Sequence, residues 1–280
     1  MDGDKNHRHD HEHEQMVHDH LGHDHLHPHT HNPPVEDIAT LEADLRLAST
    51  ILEWEAGDIF GHVGVRLPSG EGIACKMFRP AGQKDEDWLV HFDYSGKKIG
   101  GISTPPMESP IYTEIMKRRP DVQAVVHTHS PACVALSLAD IQIRAIHMQS
   151  HKFAGGVPIY PHPIHIKEMD EGIDLAQMLA EGKAIVIKGH GVVTVGKNID
   201  EACMNALYLE RTAKIMGLAR TLGFTGPTQE FMDEIVESGR RMQAKPDSGA
   251  RTAARGGHSN EWMYYKHRIA RGEKWTRGWS

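Results

Sequence analysis

Cysteine is scarce in this chain: Cys75, Cys133 and Cys203 are the only three among 280 residues. An odd, scattered set excludes a disulfide framework and suits a reducing cytoplasm. Long apolar runs are missing too. No stretch of about 18 apolar residues is available to span a membrane, and the start of the chain lacks the apolar core of a signal peptide. A cytoplasmic protein with no membrane partner is therefore expected. No basic patch interleaved with aromatics is visible, which excludes the usual nucleic-acid footprint. Acidic charge is confined: of the formal net charge of −7, most sits in residues 1–34, where seven Asp or Glu face only Lys5 and Arg8.

Histidine is what the chain has in excess. Residues 1–34 hold 11 of the 22 histidines, alternating with acids and ending in Asn32-Pro33-Pro34, so they cannot build a core and are expected to form a disordered His-rich tail. Such a tail could buffer transition metals or simply be solvated. Residues 35–243 read as one α/β domain, followed over 244–280 by a polar linker (Ala244 to Gly257) and a segment carrying Trp262, Tyr264, Tyr265, Trp275 and Trp279. Within the domain, Ile38, Leu41, Leu45, Ala48 and Leu52 recur at helical spacing. Gly61 to Leu67 and Trp88 to Asp93 read as strands. Ser109 and Pro110 predict the N-cap and first position of a helix, Pro131 to Leu138 a second, and Asp200 to about Leu222 a long third.

The informative motif is His127-Thr128-His129, directly after Ala124-Val125-Val126. In a strand, residues i and i+2 share a face, whereas at helical pitch they diverge by about 200°. The β-branched run favours a strand, so the two imidazoles can converge on one ion. His190 stands downstream in a predicted hairpin turn between Gly189 and Gly191, where glycines permit positive φ and close approach. Three imidazoles with an open position suit Lewis-acid chemistry. His147, His151, His162 and His165 form a second group, read as loop histidines near the pocket mouth, one of them a candidate for substrate contact. Cys133 and Cys203 fall on apolar helix faces and read as packed.

Taken together, Glu108 ahead of a helix, the His127-x-His129 strand, Gly189-His190-Gly191, and Gly196-Lys197-Asn198 before an acidic helix start resemble the class II aldolase/adducin family, from roughly Leu41 to Leu222. The resemblance implies a three-layer α/β/α sandwich around a mixed, largely antiparallel sheet. It implies one divalent metal ion per subunit, zinc first with manganese, iron or cobalt as alternatives, on His127, His129 and His190. Glu108 would be the general base or acid, or a fourth ligand. Many relatives are homotetramers with sites at subunit interfaces, so Tyr264 and Tyr265 could complete a neighbour's site, although aromatic packing at an oligomer interface is the plainer reading.

The departures from the family pattern bear on substrate. Phosphosugar members carry Gly-Asn-x-Ser, a Thr-Pro-x-Gly turn and Ser-Ser before the glutamate; here the same places read Gly61-His62-Val63-Gly64, Arg79-Pro80-Ala81-Gly82 and Pro106-Met107-Glu108. Most small donors for a phosphate are gone, whereas His62, Arg66 and Arg79 could meet a carboxylate. Phe60-Gly61-His62-Val63 resembles the family's aromatic-acid decarboxylase branch. The expectation is a metal-dependent carbon–carbon lyase forming a metal-stabilised enolate, foremost a decarboxylase of a non-phosphorylated, hydroxylated aromatic carboxylic acid. A retro-aldol enzyme on a hydroxy or keto acid and a sugar-acid dehydratase or epimerase are the enzymatic alternatives. A metal-storage protein or adducin-like scaffold is the alternative outside catalysis, against which the full set of candidate ligands speaks.

Overall fold

The computed structural model describes residues 37–56, 58–77 and 89–273; the His-rich tail, Arg79, Trp275 and Trp279 lie outside the described residues. Glu36–Ser280 forms one compact unit. Helix α1 (Ile38–Ala56) precedes four strands, β1 (His62–Arg66), β2 (Gly72–Met77), β3 (Leu89–Asp93) and β4 (Lys98–Gly101). Then follow α2 (Ser109–Arg118), β5 (Ala124–Thr128), α3 (Pro131–Leu138), a 3-10 helix (Met148–Phe153), β6 (Ile159–Tyr160) and α4 (Met169–Leu179). The hairpin β7 (Ala184–Ile187) and β8 (Gly191–Gly196) leads into α5 (Ile199–Thr221), α6 (Gln229–Gln243), α7 (Pro246–Ala253) and α8 (Asn260–Ala270).

The strands form one eight-stranded sheet in the order β4-β3-β2-β1-β5-β8-β7-β6. Every pairing is antiparallel except β6 with β7. Period-two alternation sends neighbouring residues of the central strands to opposite layers. Val63, Val65, Ala124 and Val126 meet α1, α5 and α8 on one face, while Ile73, Cys75, Val125, Val193 and Val195 meet α2 and α4 on the other. The fold is thus an α/β/α sandwich. Leu45, Ile51 and Leu52 of α1 are fully buried, each contributing about 1.5–3 kcal/mol of transfer free energy. All three cysteines are buried free thiols, and no helix among the described residues is long and apolar enough to cross a membrane.

Three sequence expectations need correction. The N-cap of α2 is Glu108, not Ser109, and its side chain makes no capping bond; Oε1 of Glu108 instead accepts the Ile166 N–H at 3.1 Å, so the residue ahead of α2 turns away from its own helix. The stretch read as a polar linker contains α7, begun by a proline in its first turn, where a fixed φ pre-organises helix. Trp262 and Tyr265 of the aromatic C-terminal segment belong to the main core: both lie on α8 and join the cluster built by α1, β1 and β5.

Candidate metal centre

The antiparallel register sets His62 directly opposite His127 at one end of β1 and β5. All five residues of β5 are buried, and alternation puts His127 on the α2/α4 face with Val125. His129 follows just beyond the strand. Gly191 pairs with Ile187 across the β7–β8 hairpin, and two glycines let His190 reach the same place. Gly189 has φ +68°, the region favoured by glycine, and a Cβ on Gly191 would stand 2.6 Å from the Thr128 carbonyl oxygen and 3.2 Å from Cε1 of His127.

The three rings form a near-regular triangle. Ring centroids are separated by 4.9 Å for His127 and His129, 5.1 Å for His127 and His190, and 5.1 Å for His129 and His190. One donor atom from each histidine and a Glu108 oxygen all lie within 4.8 Å of one another. Oε2 of Glu108 is 3.4 Å from Nε2 of His127, and Oε1 is 3.7 Å from Nε2 of His190.

Hydrogen bonding on the far side of each ring fixes which nitrogen faces inward. Nδ1 of His127 meets the Val192 carbonyl at 3.0 Å, Nδ1 of His129 meets Oδ2 of Asp58 at 3.0 Å, and Nδ1 of His190 meets the Ile164 carbonyl at 2.8 Å. A carbonyl can only accept, so Nδ1 of His127 and His190 must carry the proton and Nε2 keeps its lone pair. Among the described residues Nε2 of His127 and of His190 is buried with no hydrogen-bond partner. Buried polar atoms are nearly always partnered, so these two ask for a ligand, and three inward lone pairs with carboxylate or carbonyl groups behind them are what a divalent ion requires. The residues present fit a metal.

Electrostatics agree. Burial alone would raise the Glu108 pKa, but the adjacent imidazoles of His127 and His190 and the Ile166 N–H outweigh it and hold it at about 2. Burial and the neighbouring His127 press His190 down to about 4 and His62 to about 3, so both rings are neutral at neutral pH. His129 goes the other way: burial pulls it down, yet the Asp58 carboxylate wins and raises it. Asp58, favoured by burial towards protonation, is held at about 2 by the His129 ring and backbone and by the Phe60 N–H.

Of the remaining residues singled out in the sequence, His62 lies beside the centre, its ring stacked on His127 at 6.1 Å and buried. Arg66 does not contribute to the centre. It stands four residues further along β1, about 13 Å at roughly 3.3 Å per residue, and its guanidinium donates to the carbonyls of Val122, Met116 and Arg119 and to the Tyr94 hydroxyl. Tyr265 donates its hydroxyl to Glu55 at 2.6 Å within the core, so it cannot serve a neighbouring site without leaving that core. Tyr264 is exposed, with Arg268 over its ring. Of the loop histidines, only His165 is near: its Nδ1 is 3.7 Å from Oε1 of Glu108. Nε2 of His147 meets Thr212 instead. Asp58 was not anticipated; its one sequence signal is its place just ahead of Phe60-Gly61-His62.

Comparison with known proteins matches this architecture. The model of the Class II Aldolase and Adducin N-terminal domain matches residues 52–216. The 3,4-dihydroxyphthalate decarboxylase of Arthrobacter keyseri is 27% identical over 233 residues, 77% of this chain and 86% of that protein. The L-fuculose phosphate aldolase of Escherichia coli strain K12 is 30% identical over 178 residues, 63% of this chain and 80% of that one. Among solved structures, the L-fuculose 1-phosphate aldolase from Glaciozyma antarctica PI12 superposes with a TM-score of 0.65 at 25% identity, covering 84% of this chain and 92% of that chain.

Proposed function

Since the chain belongs to the class II aldolase and adducin family and is a lyase, we propose that it is a metal-dependent decarboxylase of a non-phosphorylated, hydroxylated aromatic carboxylic acid. The observation that carries the reading is the triangle of imidazoles with inward Nε2 atoms beside an ionised Glu108. His127, His129 and His190 would hold one divalent ion, for which zinc suits imidazole well and manganese, iron and cobalt are also acceptable. When bound, such an ion supplies positive charge that stabilises the negative charge developing on substrate oxygen as a carbon–carbon bond breaks.

The protein's own groups do the rest. Asp58 and the Val192 and Ile164 carbonyls hold the three rings in one tautomer and one orientation. Glu108 takes the proton of a substrate hydroxyl. It returns that proton to the ring carbon that bears the carboxylate; carbon dioxide then leaves, and the electron pair of the broken bond flows through the ring onto the hydroxyl's oxygen as aromaticity is restored. Burial of His62 and His127 keeps water from one flank of the site.

Two observations favour an aromatic acid over a phosphosugar. The first is the similarity to 3,4-dihydroxyphthalate decarboxylases from three organisms at 27–28% identity. The second is steric. Where phosphosugar members place a serine, a Cβ on Gly64 would stand 2.6 Å from the Tyr112 ring, so no hydroxyl donor fits there. A homotetramer in the cytoplasm, where the three buried thiols stay reduced, completes the proposal. The test is carbon dioxide release from 3,4-dihydroxyphthalate set against cleavage of L-fuculose 1-phosphate. Release from the acid supports the proposal; cleavage of the sugar phosphate alone makes the enzyme an aldolase.

A further inference from the structure

The loop between β6 and α4 clamps the centre from outside. The Ile164 carbonyl accepts from Nδ1 of His190 at 2.8 Å, and the Ile166 N–H donates to Oε1 of Glu108 at 3.1 Å. Ile166 itself is fully buried among α2, α4 and the sheet. His165 stands between these two anchors, so its backbone is tied to a candidate metal ligand on one side and to the acid–base carboxylate on the other. Its side chain is 60% exposed, its Nδ1 is 3.7 Å from Glu108, and its ring centroid is 4.9 Å from that of His190.

The other imidazoles here are committed. His127, His129 and His190 each have Nδ1 bound to an acceptor, and His62 is buried against His127. His165 makes no hydrogen bond among the described residues and is not one of the four groups able to share an ion. A polar side chain on a backbone held at both flanks, open to solvent and beside the base, is placed to meet whatever approaches the metal. With Arg66 consumed by backbone carbonyls, this exposed ring is a side-chain donor in reach of Glu108.

Resting on the decarboxylase reading, we propose that His165 orients the substrate, its ring N–H donating to a carboxylate oxygen of the aromatic acid while a substrate hydroxyl faces Glu108. A neutral imidazole carries the required N–H, so the contact does not depend on charge. His165 is thereby a specificity determinant for acid substrates.

The test uses the full chain loaded with zinc, as wild type, His165→Ala and His165→Asn. Calorimetry measures binding of 3,4-dihydroxybenzoate, a stable acid with a neighbouring hydroxyl pair, and kinetics follow carbon dioxide release from 3,4-dihydroxyphthalate. His165→Ala should weaken binding and raise KM by about tenfold, as loss of a hydrogen bond to a charged group does. The kcat, the zinc content and the melting temperature should hold, and the asparagine amide should restore part of the loss. Unchanged affinity and KM, a loss confined to kcat, or loss of zinc in the variant would each overturn the assignment. Should the wild type bind the acid without releasing carbon dioxide, the decarboxylase reading fails, yet weaker binding by His165→Ala still supports the contact. A wild type that neither binds nor converts the acid overturns both.

Discussion

The two ends of β1 bury polar side chains in opposite ways. At the Arg66 end two guanidinium groups are satisfied: Arg66 donates to three carbonyls and a hydroxyl, and Arg119 to Asp121 and to the carbonyls of Ala180 and Gly182. At the His62 end, Nδ1 of His62 and Nε2 of His127 and His190 are buried without partners among the described residues. Saturation marks scaffold, and organised lack of saturation marks a site, because a buried polar atom left bare costs about 1–3 kcal/mol unless a ligand meets it.

Substitutions at each end sharpen that contrast. The largest effect is expected for Glu108→Gln, which removes the proton acceptor but keeps the shape; kcat should fall by about 10²–10⁴ with the metal retained, as steady-state kinetics and metal analysis would show. Retention of full kcat would remove Glu108 from the chemistry. At the opposite end, Arg66→Met should cost about 2–4 kcal/mol of stability, since several carbonyls lose their donor, while the folded fraction keeps its kcat and KM. Chemical denaturation alongside kinetics measures both, and a change in KM would return Arg66 to the site.

Smaller effects probe the outer layer. Asp58→Asn should weaken metal affinity by about 10–100-fold, the usual loss for a partner behind a ligating histidine, measured by competition with a chelator. The pH dependence follows from the raised pKa of His129. Without metal, folding favours the charged ring. That stabilisation is fully present below the unfolded pKa of roughly 6.5 and is lost as pH rises through the higher folded value. Metal demands the neutral ring. The rise in melting temperature on adding zinc should therefore grow from pH 6 to pH 8, and a gain that shrinks over that range would contradict the pairing of His129 with Asp58.

Much of this grouping is legible in the sequence alone. His127 and His129 could be read as a pair because strand period and ligand geometry coincide, and the glycines flanking His190 announced a tight turn that φ +68° at Gly189 bears out. Arg66 was misread because a sequence displays a free cation but not the carbonyls that will consume it; those belong to Met116, Arg119 and Val122, 50, 53 and 56 positions away. Asp58 was invisible for the same reason, being 71 positions from His129. Helix α7 spans only eight residues and has two alanines besides its proline and glycine as apolar content, too little to stand out from a loop, and β4 is almost wholly exposed. Local period and turn chemistry survive in sequence, whereas partnership across the sheet does not.

The most direct test of the central claim is metal content, by elemental analysis, of the chain lacking residues 1–34, as wild type and as His190→Ala. One divalent ion per chain in the wild type, lost in the variant, is the predicted result. A wild type without an ion, or a variant that keeps it, would contradict the assignment of His127, His129 and His190 as one metal centre.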